Sequence, residues 1–200
     1  MRDNKKLHIS ESERRDLQSL WDQAGERQYK CEKILLDNMN RELPERVTNN
    51  LGRLQFEEYL TDSKISRETN AGVFCDDLQK FERFKAAVEL AHSSPYEEVR
   101  ALSEELDSIL FTLTSRMKKV LRDKEISLPF PDDLHDLKDK LNEATKKFLE
   151  VYEEEMESGE DTDGEKIKKS DVNIVRNYVV LRTLQEALTQ FDTDLGKLSE

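Results

Sequence analysis

The chain has few residues that break helices, with 4 Pro and 6 Gly among 200 residues. Most of them stand at the ends of long charged stretches in which apolar residues recur every three or four positions. No useful length of the chain shows the alternating pattern of a half-buried strand. The scarcity of Pro and Gly therefore favours long amphipathic helices and predicts an all-α protein.

Long apolar runs are also absent. No stretch approaches the roughly 18–20 apolar residues that a membrane span requires, and residues 1–10 lack the apolar core of a signal peptide. We therefore expect a cytoplasmic protein with no membrane span. Cysteine is scarce, and Cys31 and Cys75 lie far apart at apolar-face positions. We interpret both as buried free thiols, because neither a disulfide framework nor a zinc-ligand spacing is present.

Positive charge is in deficit. The chain has 32 Lys and Arg against 44 Asp and Glu, which gives a net charge of −12. Nine acidic residues and no basic residue lie between positions 150 and 165. Binding to nucleic acid or to an anionic membrane surface depends on clustered Lys and Arg, so the composition disfavours both classes of partner.

The apolar spacing and the capping signals predict a single helical domain after a disordered N-terminus. Ser10 and Glu13 have the spacing of a capping box at the start of a first helix, 11–40. Four long helices joined by short breaks are expected to pack as an antiparallel bundle, with an additional N-terminal helical arm beside them. The predicted segments are a disordered N-terminus over 1–10, a single domain over 11–198, a helical arm over 11–60, a core over 71–156, an acidic loop over 157–169 and a C-terminal helix over 170–198.

Two boundaries within the core have local signals. Thr69 or Asn70 is expected to cap one helix. Ser94 followed by Pro95 predicts the start of the next, with Ser94 as the N-cap. Two apolar stripes with steps of three and four residues then follow. The first stripe comprises Val99, Leu102, Leu106, Ile109, Leu113, Met117 and Val120, and the second comprises Leu134, Leu137, Leu141, Ala144, Phe148 and Val151.

Residue patterns that carry chemistry are missing. His8, His92 and His135 are isolated from one another and from other metal ligands at useful spacing. The acidic segment 159–170 has the glycine of a calcium loop, but it lacks the acidic first and twelfth ligands. Neither a glycine-rich phosphate loop nor a nucleophile elbow is present. We predict a protein that is not an enzyme, with no catalytic residues, no metal site and no cofactor.

Three stretches within residues 43–156 resemble the regulator of G-protein signalling (RGS) homology domain. The family's F-x-x-F-L, E-E-N and F-W-x-x-C-x-x-[FY] series resembles three segments in the same order: Phe56-Glu-Glu-Tyr59-Leu60, Glu68-Thr-Asn70 and Phe74 to Phe81. Glu125-Ile-Ser-Leu-Pro129 after a long helix resembles the family's E-I-N-L segment, and 144–156 resembles its seventh helix. Cys75 stands where the family has Trp, and the family's terminal R-F-x-x-S-x-x-Y signature is absent.

The resemblance implies a module that binds a Gα subunit. Such domains accelerate GTP hydrolysis by holding the Gα switch segments in their transition-state form, and they supply no catalytic side chain. Glu68 and Asn70 are the partner-binding positions that the resemblance carries over. The predicted function is a non-catalytic protein-interaction module, an RGS-like regulator or scaffold that binds a Gα-type GTPase. The alternative is a generic acidic helical-bundle adaptor, assembly factor or effector that binds another protein. If helix 170–198 has a surplus apolar stripe, that stripe predicts a homodimer formed through this helix.

Overall fold

The computed structural model describes residues 7–129, 134–155 and 167–198. Within these ranges all regular secondary structure is helical, which confirms the all-α prediction. The predicted acidic loop lies almost entirely outside the described residues, as does most of the calcium-loop-like segment. None of the helices in the described ranges is both long and apolar enough to cross a membrane. The α-helices are α1 (Glu11–Glu42), α2 (Glu45–Thr48), α3 (Glu57–Leu60), α4 (Asn70–Val88), α5 (Glu97–Asp123), α6 (Leu137–Glu150) and α7 (Lys169–Leu198), and 3₁₀ turns span Leu51–Arg53, Glu89–Ser93 and Glu153–Glu155.

The start of α1 has the predicted capping box. The Ser10 hydroxyl accepts from the Glu13 N–H at 3.3 Å, and the Glu13 carboxylate accepts from the Ser10 N–H at 2.8 Å. Residues 7–9, the described part of the stretch before the helix that we expected to be disordered, are packed through Leu7 and Ile9, which are both 1% exposed. The Ile9 N–H donates to the Leu198 carbonyl at 3.2 Å. Burying these two large apolar side chains offsets the entropy cost of ordering the segment.

The start of α5 differs from the prediction. The helix begins at Glu97 with Tyr96 in the N-cap position, so Pro95 lies outside it. The Ser94 hydroxyl accepts from the Tyr96 N–H at 3.3 Å, a side-chain-to-backbone turn that spans Ser94 to Tyr96. The Arg100 N–H donates to the Tyr96 carbonyl at 3.0 Å. Ser94 is therefore not the N-cap, because its side chain is used in the turn that precedes the helix.

Helix α1 belongs to the central packing rather than to an arm outside it. It lies along α5 and α7, and α4 lies along the same two helices. The Trp21 indole N–H donates to the Leu188 carbonyl at 2.6 Å, and the Gln28 amide donates to the Leu181 carbonyl at 2.9 Å. The residue numbers rise along α1 as they fall along α7, so the two helices are antiparallel. Helix α6, which the prediction counted among the four long helices, lies mainly against α7, with smaller contacts to α3 and α4.

Helix α7 is buried on most of its circumference. Its apolar side chains, from Ile174 to Leu198, pack against α1, α4 and α6. A helix that is apolar around most of its surface is a core helix. The apolar stripe that suggested a homodimer through this helix is therefore used within the chain, and it provides no surplus face.

Two large apolar residues lie at the surface instead, and one of them, Val151, belongs to the second predicted stripe. Val151 is 73% exposed, because α6 ends at Glu150 and the chain leaves the helical face there. Phe111 is 61% exposed, and the Lys85 ammonium lies 5.2 Å from the centre of its ring. This contact is a cation–π interaction at a solvent-facing site.

Both cysteines are free and buried, as predicted. Burial raises the pKa of the Cys31 thiol to about 12, with a smaller contribution from Glu32. The thiol is therefore protonated at neutral pH, which is the form expected of a small apolar core residue.

Candidate functional site

The 61–69 loop joins α3 to α4 and contains part of the predicted partner-binding surface. Its first half is ordered by Ser63, whose hydroxyl accepts from the Ile65 N–H at 3.1 Å and donates to the Gln79 side chain at 3.0 Å. Its second half ends at Thr69, whose hydroxyl accepts from the Gly72 N–H at 3.0 Å. This bond confirms that Thr69 caps α4.

The loop approaches the first turn of α4 too closely for a side chain at position 72. A Cβ placed on Gly72 would lie 2.1 Å from the Ser66 carbonyl oxygen and 3.2 Å from the Thr69 hydroxyl oxygen. The first of these distances is far inside van der Waals contact and involves backbone. The absence of a side chain on Gly72 is therefore what lets the loop pack on α4.

The loop forms one wall of an open cleft of about 1010 Å³, which we call the α4–α6 cleft. The other walls come from α3, α4, Pro129 and the start of α6. Its apolar and thiol-bearing lining residues are Tyr59, Ile65, Ala71, Cys75, Pro129, Leu134 and Leu137. Most of these side chains are only partly covered, so the cleft offers an apolar surface to a binding partner.

The charge of the cleft differs in sign from that of the whole chain. Three basic residues, Lys64, Arg83 and Lys140, line it together with two acidic residues, Glu58 and Asp62. Within the described part of the chain, no ion pair involves the ammonium group of Lys64 or Lys140. The cleft thus combines an apolar floor with available positive charge in a chain of net charge −12.

The two residues carried over from the RGS resemblance lie beside the cleft rather than in it. Glu68 is exposed on the loop, and its N–H donates to the Ser66 hydroxyl at 3.4 Å. Asn70 is the first residue of α4, and its amide donates to the Leu7 carbonyl at 3.3 Å. Asn70 therefore connects the N-terminal segment to α4, while Glu68 faces solvent.

Sequence analysis missed a buried ionic cluster beneath the loop. Arg67 reaches from the loop to three carboxylates, those of Asp76 and Asp77 on α4 and that of Asp194 on α7; we call these four residues the Arg67 cluster. One Arg67 nitrogen contacts Asp76 and also lies 3.2 Å from Asp77, and the other lies 2.5 Å from Asp194. All three aspartates are at most 2% exposed.

The three carboxylates are not equivalent. Although burial opposes it, hydrogen bonds from Lys80 and Arg67 lower the pKa of Asp76. Burial and the nearby Asp194 charge raise the pKa of Asp77 to about 7, against the opposing effect of Arg67. Within the described residues, Asp77 Oδ2 has no hydrogen-bond partner. An ionised carboxylate with a buried, unpaired oxygen is costly, which is the physical reason for the raised pKa.

A second buried charge was also missed. Arg176 on α7 is 3% exposed, and burial lowers its pKa to about 10. Its guanidinium donates to the side-chain oxygens of Asn142, Asn173 and Asn177 and to the Leu90 carbonyl. Because α6, α7 and the turn after α4 each supply an acceptor, this arginine holds three parts of the fold together. Its sequence signal was weak: two Asn residues close to one Arg in an otherwise apolar stretch of the helix.

No group of three or more His, Cys, Asp or Glu side chains in the described ranges is arranged to hold a metal ion. The Arg67 cluster instead places a guanidinium among its carboxylates. Comparison with protein-family models, curated proteins and solved structures finds no match to the chain. The RGS resemblance therefore stays a prediction, and the site has to be interpreted from its own geometry.

Proposed function

We propose that this chain is a non-catalytic protein-interaction module that docks a partner in the α4–α6 cleft, with a Gα-type GTPase as the partner. The observation that carries the proposal is the position of two stretches that resemble the RGS domain. Tyr59, in the first resembling stretch, lines the cleft, and Pro129, at the end of the second, lines it from the segment after α5. Two separate parts of the resemblance therefore converge on one surface.

The mode of action follows from what the cleft offers. Its apolar lining and basic rim can bind and orient a partner segment, because burial gives affinity and the unpaired lysines select for acidic groups. Acceleration of GTP hydrolysis by such a module consists of holding the GTPase in its reactive conformation, since phosphoryl transfer depends on positioning and electrostatics. If the cleft binds the GTPase without accelerating GTP hydrolysis, the module acts as a scaffold for the GTPase.

The test is binding to a Gα subunit loaded with GDP and aluminium fluoride, which imitates the transition state. We expect binding at micromolar concentration and a loss of affinity of about fivefold or more in Lys64→Glu and in Lys140→Glu. Lys33→Glu is the matched control, because Lys33 is exposed on α1, which does not line the cleft. No binding at micromolar concentration, or an equal loss in the control, would refute the proposed partner or the proposed surface.

One observation favours the alternative, an acidic helical adaptor unrelated to G proteins. RGS domains place their two chain ends in a subdomain beside a four-helix bundle. Here α1 packs against α5 and α7, and α4 packs against the same two helices, so the first and the last helix belong to the central packing. Under this alternative the cleft still docks a partner helix, and the Gα experiment gives no binding.

A further inference from the structure

The Arg67 cluster is the most unusual feature of the loop that forms one wall of the cleft. One guanidinium from the loop faces three buried carboxylates, two from α4 and one from α7. Arg67 itself is about one third exposed, so its bonds are the contact between a surface loop and the interior. Whatever changes the charge of the three carboxylates changes how firmly the loop is held.

The charge around Asp77 can be counted element by element. The loop contributes Arg67, α4 contributes Asp76 and Lys80, and α7 contributes Asp194 and Lys197. Lys80 lies 2.7 Å from Asp76, whereas Lys197 is 69% exposed and 4.0 Å from Asp194, where solvent screens it. Gln190 adds neutral donors to Asp194 at 3.0 and 3.1 Å.

Two buried or partly buried cations therefore face three carboxylates. With a proton on Asp77, Arg67 and Lys80 balance Asp76 and Asp194, and the charges of the Arg67 cluster and Lys80 together sum to zero. With Asp77 ionised, the same five residues have one excess negative charge and a buried oxygen, Asp77 Oδ2, without a donor. Hydration lowers the free energy of an excess buried charge, and water can reach Asp77 if the loop moves away.

We propose that the protonation state of Asp77 controls the 61–69 loop: the protonated form holds the loop closed on α4 and α7, and ionisation favours an open loop. Since the loop forms one wall of the cleft, the same proton regulates the shape of the docking surface. That last consequence rests on the proposed function, but the control of the loop does not.

The direction of the pH effect follows from linkage. Asp77 has a pKa of about 7 in the closed loop, and a hydrated Asp77 in the open loop has an ordinary value of about 4. The closed state thus binds the proton more tightly, and its advantage is complete below about pH 4 and falls as pH rises to about 7. Above that pH both states are ionised, and the opening equilibrium no longer changes.

Amide hydrogen exchange of the free protein by NMR tests this directly. The Gly72 N–H reports loop opening, because its acceptor is the Thr69 hydroxyl at the end of the loop. After correction for intrinsic rates, we expect its protection to fall by up to about tenfold per pH unit between about pH 5 and about pH 7, and then to level off. Asp77→Asn, which imitates the protonated form, should abolish this dependence, whereas the control Asp62→Asn on the same loop should retain it.

A wild-type protection factor that does not change with pH, or a dependence that persists in Asp77→Asn, would overturn the proposal. If Asp77→Asn does not fold, the carbon chemical shift of the Asp77 carboxyl in the wild-type protein decides instead. A titration midpoint near pH 7 supports the proposal, and a midpoint well below about pH 5 overturns it. Because these measurements need no partner, their failure is separate from a failure of Gα binding.

Discussion

Replacement of Gly72 by Ala is the sharpest test of how the loop is positioned. Gly in a helix normally costs stability relative to Ala, so the same change at an open site gains about 0.5–1 kcal/mol. At position 72 the added Cβ would lie 2.1 Å from the Ser66 carbonyl oxygen. The loop backbone has to move by roughly 1 Å to restore contact distance, because neither a carbonyl nor a Cβ can rotate away.

The movement of the loop backbone sets the expected decrease in the free energy of unfolding. Overpacking of a close contact typically costs about 1–3 kcal/mol, and displacement of Thr69 weakens an N-cap worth about 1 kcal/mol more. After subtracting the helix-propensity gain, we expect Gly72→Ala to lower the free energy of unfolding by about 1–3 kcal/mol. Urea denaturation followed by circular dichroism measures this difference from the midpoint and the slope.

Gly25→Ala on α1 is the matched control. Apart from the adjoining residues and the backbone of its own helix, no atom lies within 4 Å of a Cβ built on Gly25, so the substitution meets no obstacle there. We expect it to raise the free energy of unfolding by about 0.5–1 kcal/mol. If Gly72→Ala is as stable as Gly25→Ala, the loop does not pack on α4 as described and the reasoning fails.

Three further substitutions test other parts of the fold, each measured by urea denaturation. Glu125, just after the end of α5, has a φ of 55°, a conformation that costs a non-glycine residue about 1 kcal/mol. Glu125→Gly should therefore raise the free energy of unfolding by about that amount, and a decrease would contradict this expectation. Ser10→Ala should cost about 1 kcal/mol, because it removes the acceptor of the Glu13 N–H, and an unchanged midpoint would show that the capping box contributes nothing. Arg176→Met should cost about 2–4 kcal/mol, since buried amide and carbonyl oxygens lose their donors; no loss would mean that the burial cost of the guanidinium cancels its hydrogen bonds.

The features that were predictable from sequence are those specified by neighbouring residues. The capping box of Ser10 and Glu13 and the Thr69 cap each involve positions three residues apart, so their signals are visible in a short window. The start of α5 was misplaced for a related reason. Ser94 and Pro95 match a helix start locally, but the hydroxyl of Ser94 closes a turn instead.

The Arg67 cluster was not predictable, because Asp194 is distant in the chain from the other three members. Arg67 and Asp194 are 127 residues apart, and nothing in either neighbourhood indicates the other. The available signal was the pair Asp76 and Asp77, which lies at buried positions between Phe74 and Leu78. Two acids on an apolar helix face imply a buried partner, but the sequence does not say which cation supplies it.

The position of α1 escaped prediction for the same physical reason. Amphipathic periodicity shows that a helix has an apolar face, but it does not identify which helices cover that face. Helix α1 was therefore assigned to an arm, whereas its buried residues pack against α5 and α7.

The energetics of the Arg67 cluster favour a role in positioning over one in stability. Buried ion pairs contribute little net stability, because the desolvation of each charge cancels much of the attraction, and well-packed apolar side chains of the same size often do as well. Apolar replacements would not, however, fix the direction of a surface loop, since the hydrophobic effect is not directional. Several attachments hold the 61–69 loop, among them the Ser63–Gln79 hydrogen bond, the Thr69 cap, the close contact at Gly72 and the bonds of Arg67. Of these only the bonds of Arg67 engage a carboxyl group that gains or loses a proton in the proposal, so a change there moves the loop and loosens the Thr69 cap with it.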